Sequence, residues 1–287
     1  MRFGRIYLEI TNVCNRSCAF CPKTKRPQTF LEPAQFTFLA ERLRPYTEYL
    51  YFHLMGEPLL HPSLDFFLRE AERLGFRVVL TTNGTLLPAR QTLLLQSPAL
   101  HKVNISLHSF EANDGGCMDD YLKGCTQFAR AASERGVRCT LRLWNLDGAQ
   151  AGLHAQNPEI LAALHTAFPA PWVANTRGYR LRDRLFLEWA ERFDWPDPNA
   201  PELTSAISCR GLRDQLGVLC DGTVVPCCLD GEGEMALGNL FFQPLSEILQ
   251  APRAQAICAG FSHGEAAEPL CRRCGYARRF ATRRTRI

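Results

Sequence analysis

From Arg5 to Phe168 the chain alternates short apolar stretches of period two with longer stretches of helical period, and few folds accept that order. RIYLEIT (Arg5–Thr11), YLYFHLM (Tyr49–Met55), RVVLTTNG (Arg77–Gly84), KVNISLH (Lys102–His108) and RCTLRLW (Arg138–Trp144) read as strands. Pro33–Leu43, His61–Gly75, Pro88–Ser97, Met118–Arg135 and Asn157–Phe168 read as helices, several with proline near the start or glycine at the end. RLFLEW (Arg184–Trp189) is a sixth candidate strand, although its pattern also suits a helix. The fold class is therefore α/β, with βαβ units around a largely parallel sheet. Such sheets place their chemistry on loops at the carboxyl ends of strands. The loop TNVCNRSCAFCPK, the loop Gly56-Glu57-Pro58 and the turn Thr82-Asn83-Gly84 each follow a strand and are expected on one face.

The alternation stops at RFDWPDPNAPEL (Arg192–Leu203), where Pro196, Pro198 and Pro201 mark a linker. Beyond it the chain is short, rich in cysteine and glycine, and too small to hold a core without a staple. Two domains are expected, 1–195 and 196–287.

The chain has 13 cysteines, an odd number that excludes complete intramolecular pairing. MRFGRIYLEI lacks the apolar segment of a signal peptide, and no apolar run is long enough to span a membrane. A cytoplasmic protein is expected, in which cysteines serve metal or redox chemistry rather than disulfides. Cys14, Cys18 and Cys21 lie close enough in sequence to bind one centre. A zinc site calls for a fourth nearby ligand, and this loop contains none. Thiolates also suit iron–sulfur clusters. Three of them on a four-iron cubane leave one iron open to a small molecule.

The C-x3-C-x2-C spacing after the first strand, with Phe20 just before the last cysteine, resembles the signature of radical S-adenosylmethionine (SAM) enzymes. The resemblance runs to about Trp195 and implies a partial (β/α)6 barrel. It implies that Cys14, Cys18 and Cys21 hold a [4Fe–4S] cluster whose open iron binds SAM. Reduction would then release a 5′-deoxyadenosyl radical that takes hydrogen from a substrate. The resemblance puts Phe20 near the adenine, and Gly56, Glu57 and Pro58 at the methionyl amine, with Met55 replacing the first glycine of the usual motif. Ser106 matches a ribose or carboxylate contact and Arg142 a SAM carboxylate contact; each is equally a packed or solvated strand residue. Asn83 is read as shaping the turn with Gly84. His53 and His108 flank the same face, as structural partners or proton carriers.

Past the linker, Cys209, Gly222, Cys227 and the pair Cys271/Cys274 resemble the SPASM/twitch extension, which binds auxiliary iron–sulfur clusters. No cysteine follows Cys274. The resemblance therefore points to the shorter, twitch form with one auxiliary [4Fe–4S] cluster on Cys209, Cys227, Cys271 and Cys274. Cys220 or Cys228 are alternatives to Cys227, and a four-cysteine zinc site would staple the segment equally well. Cys228 is a candidate catalytic thiol or base, or a small buried hydrophobe. Cys117, Cys125, Cys139 and Cys258 are expected to be packing residues.

Residues 271–287 contain seven arginines and no acidic residue. With Arg177, Arg180, Arg182 and Arg184 they suggest binding of an anion or of nucleic acid, or simply a solvated surface. The implied enzyme is an oxidoreductase whose auxiliary cluster accepts an electron, acting on a small molecule or a peptide. A reducing partner such as flavodoxin or ferredoxin would supply electrons. The alternatives are a redox-neutral epimerase, a peptide- or RNA-modifying enzyme, or a non-catalytic iron–sulfur or zinc protein.

Overall fold

The computed structural model describes residues 2–112, 116–146, 155–169, 171–207, 209–277 and 279. The first elements along the chain are β1 (Arg5–Leu8), α1 (Pro33–Leu43), β2 (Tyr49–Tyr51), α2 (Leu64–Arg73), β3 (Arg77–Thr82) and α3 (Leu87–Gln96). Next come β4 (Leu100–Ser106), α4 (Met118–Glu134), β5 (Arg138–Leu146), α5 (Asn157–Ala167), β6 (Val173–Asn175), β7 (Gly178–Arg182) and β8 (Leu185–Glu191). The chain ends with β9 (Gln215–Val218), β10 (Thr223–Val225), β11 (Gly238–Asn239), α6 (Leu245–Gln250), α7 (Pro252–His263) and α8 (Pro269–Arg272). They form two units, one of Met1–Val13, Cys21–Gly56 and Phe193–Ile287, the other of Cys14–Phe20 and Glu57–Arg192.

In the first unit the strand order is β11-β10-β9-β1-β2. β1 runs parallel to β2 on one side and to β9 on the other. The segment after the linker therefore joins a sheet with β1, and its strand β9 shares a core that it was too short to build alone. A hairpin then adds β10 and β11 antiparallel. Gly222 makes the β9–β10 turn at φ +82°, where an added Cβ would lie 2.8 Å from the Asn239 side chain. Helix α1 opens with a capping box between Glu32 and Gln35 and has Pro33 in its first turn; both features satisfy or avoid orphan amides. It buries Phe36, Leu39, Ala40 and Leu43.

The second unit has the order β3-β4-β5-β8-β7-β6. β3, β4, β5 and β8 run parallel, so Arg184–Trp189 falls on a strand that enters the sheet as the expected parallel neighbour. The hairpin β6–β7 precedes it antiparallel, an element with too little apolar alternation to be read from sequence. Alternation along β4, β5 and β8 separates two faces. Val103, Ile105, Cys139, Leu141, Leu143, Leu185 and Leu187 form an apolar, fully buried one. Helix α4, which buries Phe128, Ala129 and Ala132, packs on β5. The other face carries Lys102, Asn104 and Ser106 on β4, and Arg138, Thr140 and Arg142 opposite them on β5.

Several elements are shorter than the sequence suggests, and β1 ends at Leu8 rather than Thr11. The second strand stops at Tyr51, and beyond it the backbone amide of Met55 donates to the Glu9 carboxylate. Helix α2 starts at Leu64, after a 3-10 turn at Pro58–Leu60. Gly75 and Gly136 follow α2 and α4 with φ of +74° and +82°, the left-handed stop expected of them.

Phe128 is fully buried in the second unit. Phe128→Ala is expected to cost about 3–5 kcal/mol in urea unfolding. A loss below about 1 kcal/mol would show that α4 does not seal the apolar face.

Candidate functional site

The organising group of the first unit is Glu9, one residue past the end of β1 and 0% exposed. Its carboxylate accepts two hydrogen bonds from the Arg26 guanidinium, at 2.9 and 2.7 Å. It also accepts the backbone amides of Met55 (3.2 Å) and Cys220 (3.1 Å). Arg26 Nε donates onward to the Gly231 carbonyl at 2.8 Å. One carboxylate thus gathers the segment after the cysteine loop, the start of the Gly56 loop and the cysteine-rich C-terminal segment. Sequence reading missed it, because Glu9 alternates with Ile6, Leu8 and Ile10 at the positions where a strand faces solvent. Met55 also explains the departure from the usual glycine: its side chain is buried, and a Cβ on Gly231 would lie 2.9 Å from it.

The cysteine loop is closed at its neck. Asn12 Nδ2 donates to the Pro27 carbonyl at 2.9 Å, Asn12 Oδ1 accepts the Thr29 amide at 2.8 Å, and Thr11 Oγ1 donates to the Thr29 carbonyl at 2.8 Å. Gly56 sits beside this neck at φ +75°, where a Cβ would come within 2.9 Å of Asn12 backbone atoms. Glycine is required there by both conformation and space.

In the second unit the loop residues rest on the turn after β3. Asn83 Nδ2 donates to Asn15 Oδ1 at 2.8 Å and lies 4.0 Å from Cys14 Sγ. Asn83 Oδ1 accepts the amide and hydroxyl of Thr85, so the residue shapes its turn and also meets the cysteine loop. Glu57 holds the same turn, accepting Thr82 Oγ1 (2.7 Å), the Asn83 amide (2.7 Å) and the Leu59 amide (3.0 Å). Burial pushes the Glu57 carboxyl up to about 7, and the three donors pull against that rise. Cys18 is buried with its thiol 3.9 Å from the Ser109 carbonyl, while Cys14 is exposed. Phe20 packs on His108, ring centroids 4.9 Å apart. His108 Nδ1 lies 3.1 Å from the Arg142 carbonyl, which ties that ring to β5. Ser106 and Arg142 are in register on adjacent strands, and Arg142 lies over Trp144 at 4.5 Å.

The second cysteine set is brought together within the first unit. Cys209 precedes β9, Cys227 follows β10, and Cys271 and Cys274 flank the end of α8. Burial raises all four thiols, Cys274 to about 11, and Cys209 raises the other three further. Arg253 pairs with Glu268 at 2.7 and 2.8 Å, fixing the turn into α8. Gly275 donates its amide to the Asp194 carbonyl at 3.1 Å just past Cys274. Cys228 adjoins the group, raised to about 11 by burial, and is hydrogen-bonded to Tyr7. The Tyr7 ring lies tilted against Tyr51 and edge-on to His53, with centroids 5.0 and 5.2 Å apart. Cys220 faces elsewhere, with its thiol 3.3 Å from the Glu9 carbonyl. Cys125 and Cys139 are fully buried packing residues and Cys258 is half-buried, whereas Cys117 is exposed at the start of α4. The basic end lies mostly outside the described residues; Arg279 sits over Phe193 and Tyr276 at 5.2 and 4.8 Å.

Residues 8–149 match the model of the radical SAM superfamily, and residues 209–275 match the SPASM iron–sulfur cluster-binding domain. The chain is a radical SAM protein of the SPASM/twitch subgroup. It is 31% identical over 114 residues to the S-adenosyl-L-methionine-dependent 2-deoxy-scyllo-inosamine dehydrogenase of Niallia circulans, covering 37% of this chain and 46% of that protein. It is 30% identical over 154 residues to the GTP 3′,8-cyclase of Marinobacter nauticus, covering 48% and 46%. These matches span less than half the length of either relative. Among solved structures, BtrN in complex with AdoMet and 2-DOIA has a TM-score of 0.60 at 20% identity, covering 96% of this chain and 93% of that one. SuiB of Streptococcus suis bound to S-adenosylmethionine has 0.58 at 16%, covering 90% and 68%. These likenesses show the fold, the partial (β/α)6 barrel type with its cysteine-rich C-terminal domain.

The cofactors of this subgroup are a SAM-binding [4Fe–4S] cluster, SAM, and an auxiliary cluster. The donor sets suit them. Three cysteines sit in one short loop, and four half-buried cysteines of the C-terminal segment have raised thiols that a cationic centre would turn into thiolates. Among the described residues, no three His, Cys, Asp or Glu side chains approach closely enough to hold a single metal ion.

Arg26→Met leaves the Glu9 carboxylate buried without its charge partner. It is expected to lower stability by about 3–5 kcal/mol in anaerobic chemical unfolding. Arg2→Met, which breaks an exposed pair with Glu48, should change it by less than about 1 kcal/mol.

Proposed function

We propose that this radical SAM enzyme is an oxidoreductase that carries out a two-electron oxidation, with Cys14, Cys18 and Cys21 holding the SAM-cleaving cluster. Cys209, Cys227, Cys271 and Cys274 hold one auxiliary [4Fe–4S] cluster, in a C-terminal domain of residues 196–287 that follows a radical SAM domain of 1–195. The observation that carries this reading is that these four half-buried cysteines fall within one unit, where Cys209 raises the thiols of the other three. The dehydrogenase among its relatives supports the same outcome. When bound, these groups supply a 5′-deoxyadenosyl radical to take a hydrogen atom and a sink for one electron.

The chain's own residues position and enclose. Asn83 holds Asn15 of the cysteine loop, and Gly56 lies beside the Asn12 neck. Phe20 offers an apolar surface for the adenine, and the Gly56-Glu57-Pro58 loop lies at the methionyl amine. Glu57 keeps this loop locked to the turn after β3. Ser106 and Arg142 present a hydroxyl and a fixed positive charge to ribose and carboxylate. The substrate is a small molecule or a peptide, and a flavodoxin- or ferredoxin-type protein delivers electrons in the cytoplasm. None of the described helices is long and apolar enough to cross a membrane.

A redox-neutral epimerase is the second reading. It rests on Cys228, whose thiol beside Tyr7 adjoins the auxiliary group and would return a hydrogen atom to a substrate radical.

Two measurements test this. A variant with Cys14, Cys18 and Cys21 changed to alanine, prepared anaerobically, should retain about four irons per chain and make no 5′-deoxyadenosine under dithionite. Zinc in place of iron would remove the electron sink and the oxidation with it. In the same background Cys227→Ala should lose iron and Cys228→Ala should keep it. With substrate in hand, Cys228→Ala spares a dehydrogenase and abolishes an epimerase.

A further inference from the structure

The amino-terminal ends of the second unit's strands gather positive charge. Arg77 opens β3, Arg138 opens β5, and Arg184 directly precedes β8. These ends lie away from the turn that meets the cysteine loop, since Arg77 and Asn83 are separated by about 20 Å of extended strand. A cleft of about 410 Å³ opens here. Arg77, the end of α3, the start of β4 and the turn Arg135–Val137 line it, and none of these lining residues is a carboxylate.

Local structure both opens the cleft and arms it. Leu100 pairs with Val78 and Lys102 with Val79, so His101 is the extra residue of a β-bulge on β4. A bulge re-aims the side chain it carries, and His101 lines the cleft. Gly136 ends α4 at φ +82°, and a Cβ added there would meet nothing within 4 Å, so the cleft is open beside that turn. Arg135 donates to the Leu95 carbonyl at 3.1 Å. That bond anchors its guanidinium on the cleft wall and uses only one of its N–H donors. Glu134, its neighbour in the chain, is held by Arg182 at 3.1 Å and does not line the cleft.

Burial and the nearby charges of Arg77, Arg138, Arg184 and Lys102 all lower the pKa of His101. Arg138 lies over Phe186 at 4.3 Å and Arg184 stands 3.9 Å from Asp183, so these two act from the rim. Arg77 and Arg135 are exposed and His101 is half-buried, which leaves all three within reach from solvent. Like charges crowded in this way repel one another, and an anion entering among them relieves the repulsion.

We propose that this cleft is a second ligand site and binds a small phosphate ester, with Arg77, Arg135 and His101 on the phosphate and Leu95 and Pro98 against its organic part. Guanidinium groups match phosphate oxygens with paired N–H donors, and an imidazole N–H adds another. The volume exceeds what a bare phosphate fills and falls within the range of small-molecule sites. The charges converge on one depression and do not run as a stripe, which favours a compact ligand over a nucleic-acid backbone. Binding here does not rest on the radical SAM reading, because it uses none of the residues assigned to that chemistry.

The test is calorimetry on the anaerobically prepared full chain with glucose 6-phosphate, sn-glycerol 3-phosphate, glucose, inorganic phosphate and a short single-stranded RNA. At least one ester should bind about tenfold or more tighter than both inorganic phosphate and glucose. Arg135→Gln and Arg77→Gln should each weaken that ester by about tenfold or more. Arg69→Gln, on α2 and paired with Asp65 at the surface, should leave it unchanged. Inorganic phosphate binding as tightly as both esters would mean an adventitious ion only, and would overturn the proposal. So would an ester indifferent to both Arg135→Gln and Arg77→Gln, or no binding of either ester. RNA that binds tighter than the esters and is weakened by Arg135→Gln would make this a nucleic-acid surface, and would overturn it too.

Modification of wild-type arginines with phenylglyoxal, read by mass spectrometry, tests the site without substitution. The tighter ester should slow modification of Arg77 and Arg135 and leave Arg69 unchanged. Equal modification of Arg77 and Arg135 with and without the ester refutes the site.

Discussion

A carboxylate with no exposure to water must be fully paired or it destabilises the fold that buries it. Glu9 meets that demand with two guanidinium bonds from Arg26 and two backbone amides, those of Met55 and Cys220. The four donors come from three separate stretches of chain, so satisfying the charge also brings those stretches together. The residue whose amide completes the carboxylate's shell directly precedes Gly56, whose missing side chain lets it approach Asn12. The neck of the cysteine loop and the entry to the next loop therefore owe their placement to one charge. An apolar residue at position 9 would avoid the desolvation cost, but it would offer nothing to three segments that share no continuous strand.

The second unit uses a different principle. Its sheet is apolar and sealed on the side covered by α4, which supplies the stability. The opposite side carries lysine, asparagine, serine, threonine and arginine. A sheet made only to be stable would not leave Asn104 Oδ1 and Thr140 Oγ1 unsatisfied. The turn after β3 is by contrast over-determined. Asn83 is held through its amide, its carbonyl and both ends of its side chain. Rigid support at the strand's carboxyl end suits a site whose groups must be held in place.

Much of this was legible in the sequence, for identifiable reasons. Helical period with proline and glycine punctuation located α1, α2, α4 and α5, since those signals are local. The three-cysteine loop and the Gly56 turn were legible because their chemistry imposes fixed spacing or positive φ. What was not legible depended on distant partners. Glu9 looks from its neighbours like a solvent-facing position in an alternating strand, and only Arg26 and Cys220 make it a centre. Parallel pairing of β9 with β1 leaves no turn signal, as about 200 residues separate them. The hairpin β6–β7 is arginine- and glycine-rich, and its short strands lack the apolar alternation that marks the others. Lys102 reads as an ordinary strand end until the register places Arg138 beside it and Arg142 and Arg177 nearby.

The parallel partnership of β1 and β9 also sets an order of events on the ribosome. β1 is among the first segments to emerge, yet one of its two neighbours is made only after residue 215. Residues 57–192, by contrast, form a nearly uninterrupted stretch of one unit, and they can organise while the rest is still being made. Closing a loop of that length is slow compared with forming local contacts. The nascent chain therefore carries an open strand edge and an unmet Glu9 through most of its synthesis. Its cysteine loop completes its neck with Thr29 early, but the C-terminal thiols assemble last. The two cysteine sets consequently leave the ribosome at times separated by the length of the polypeptide itself.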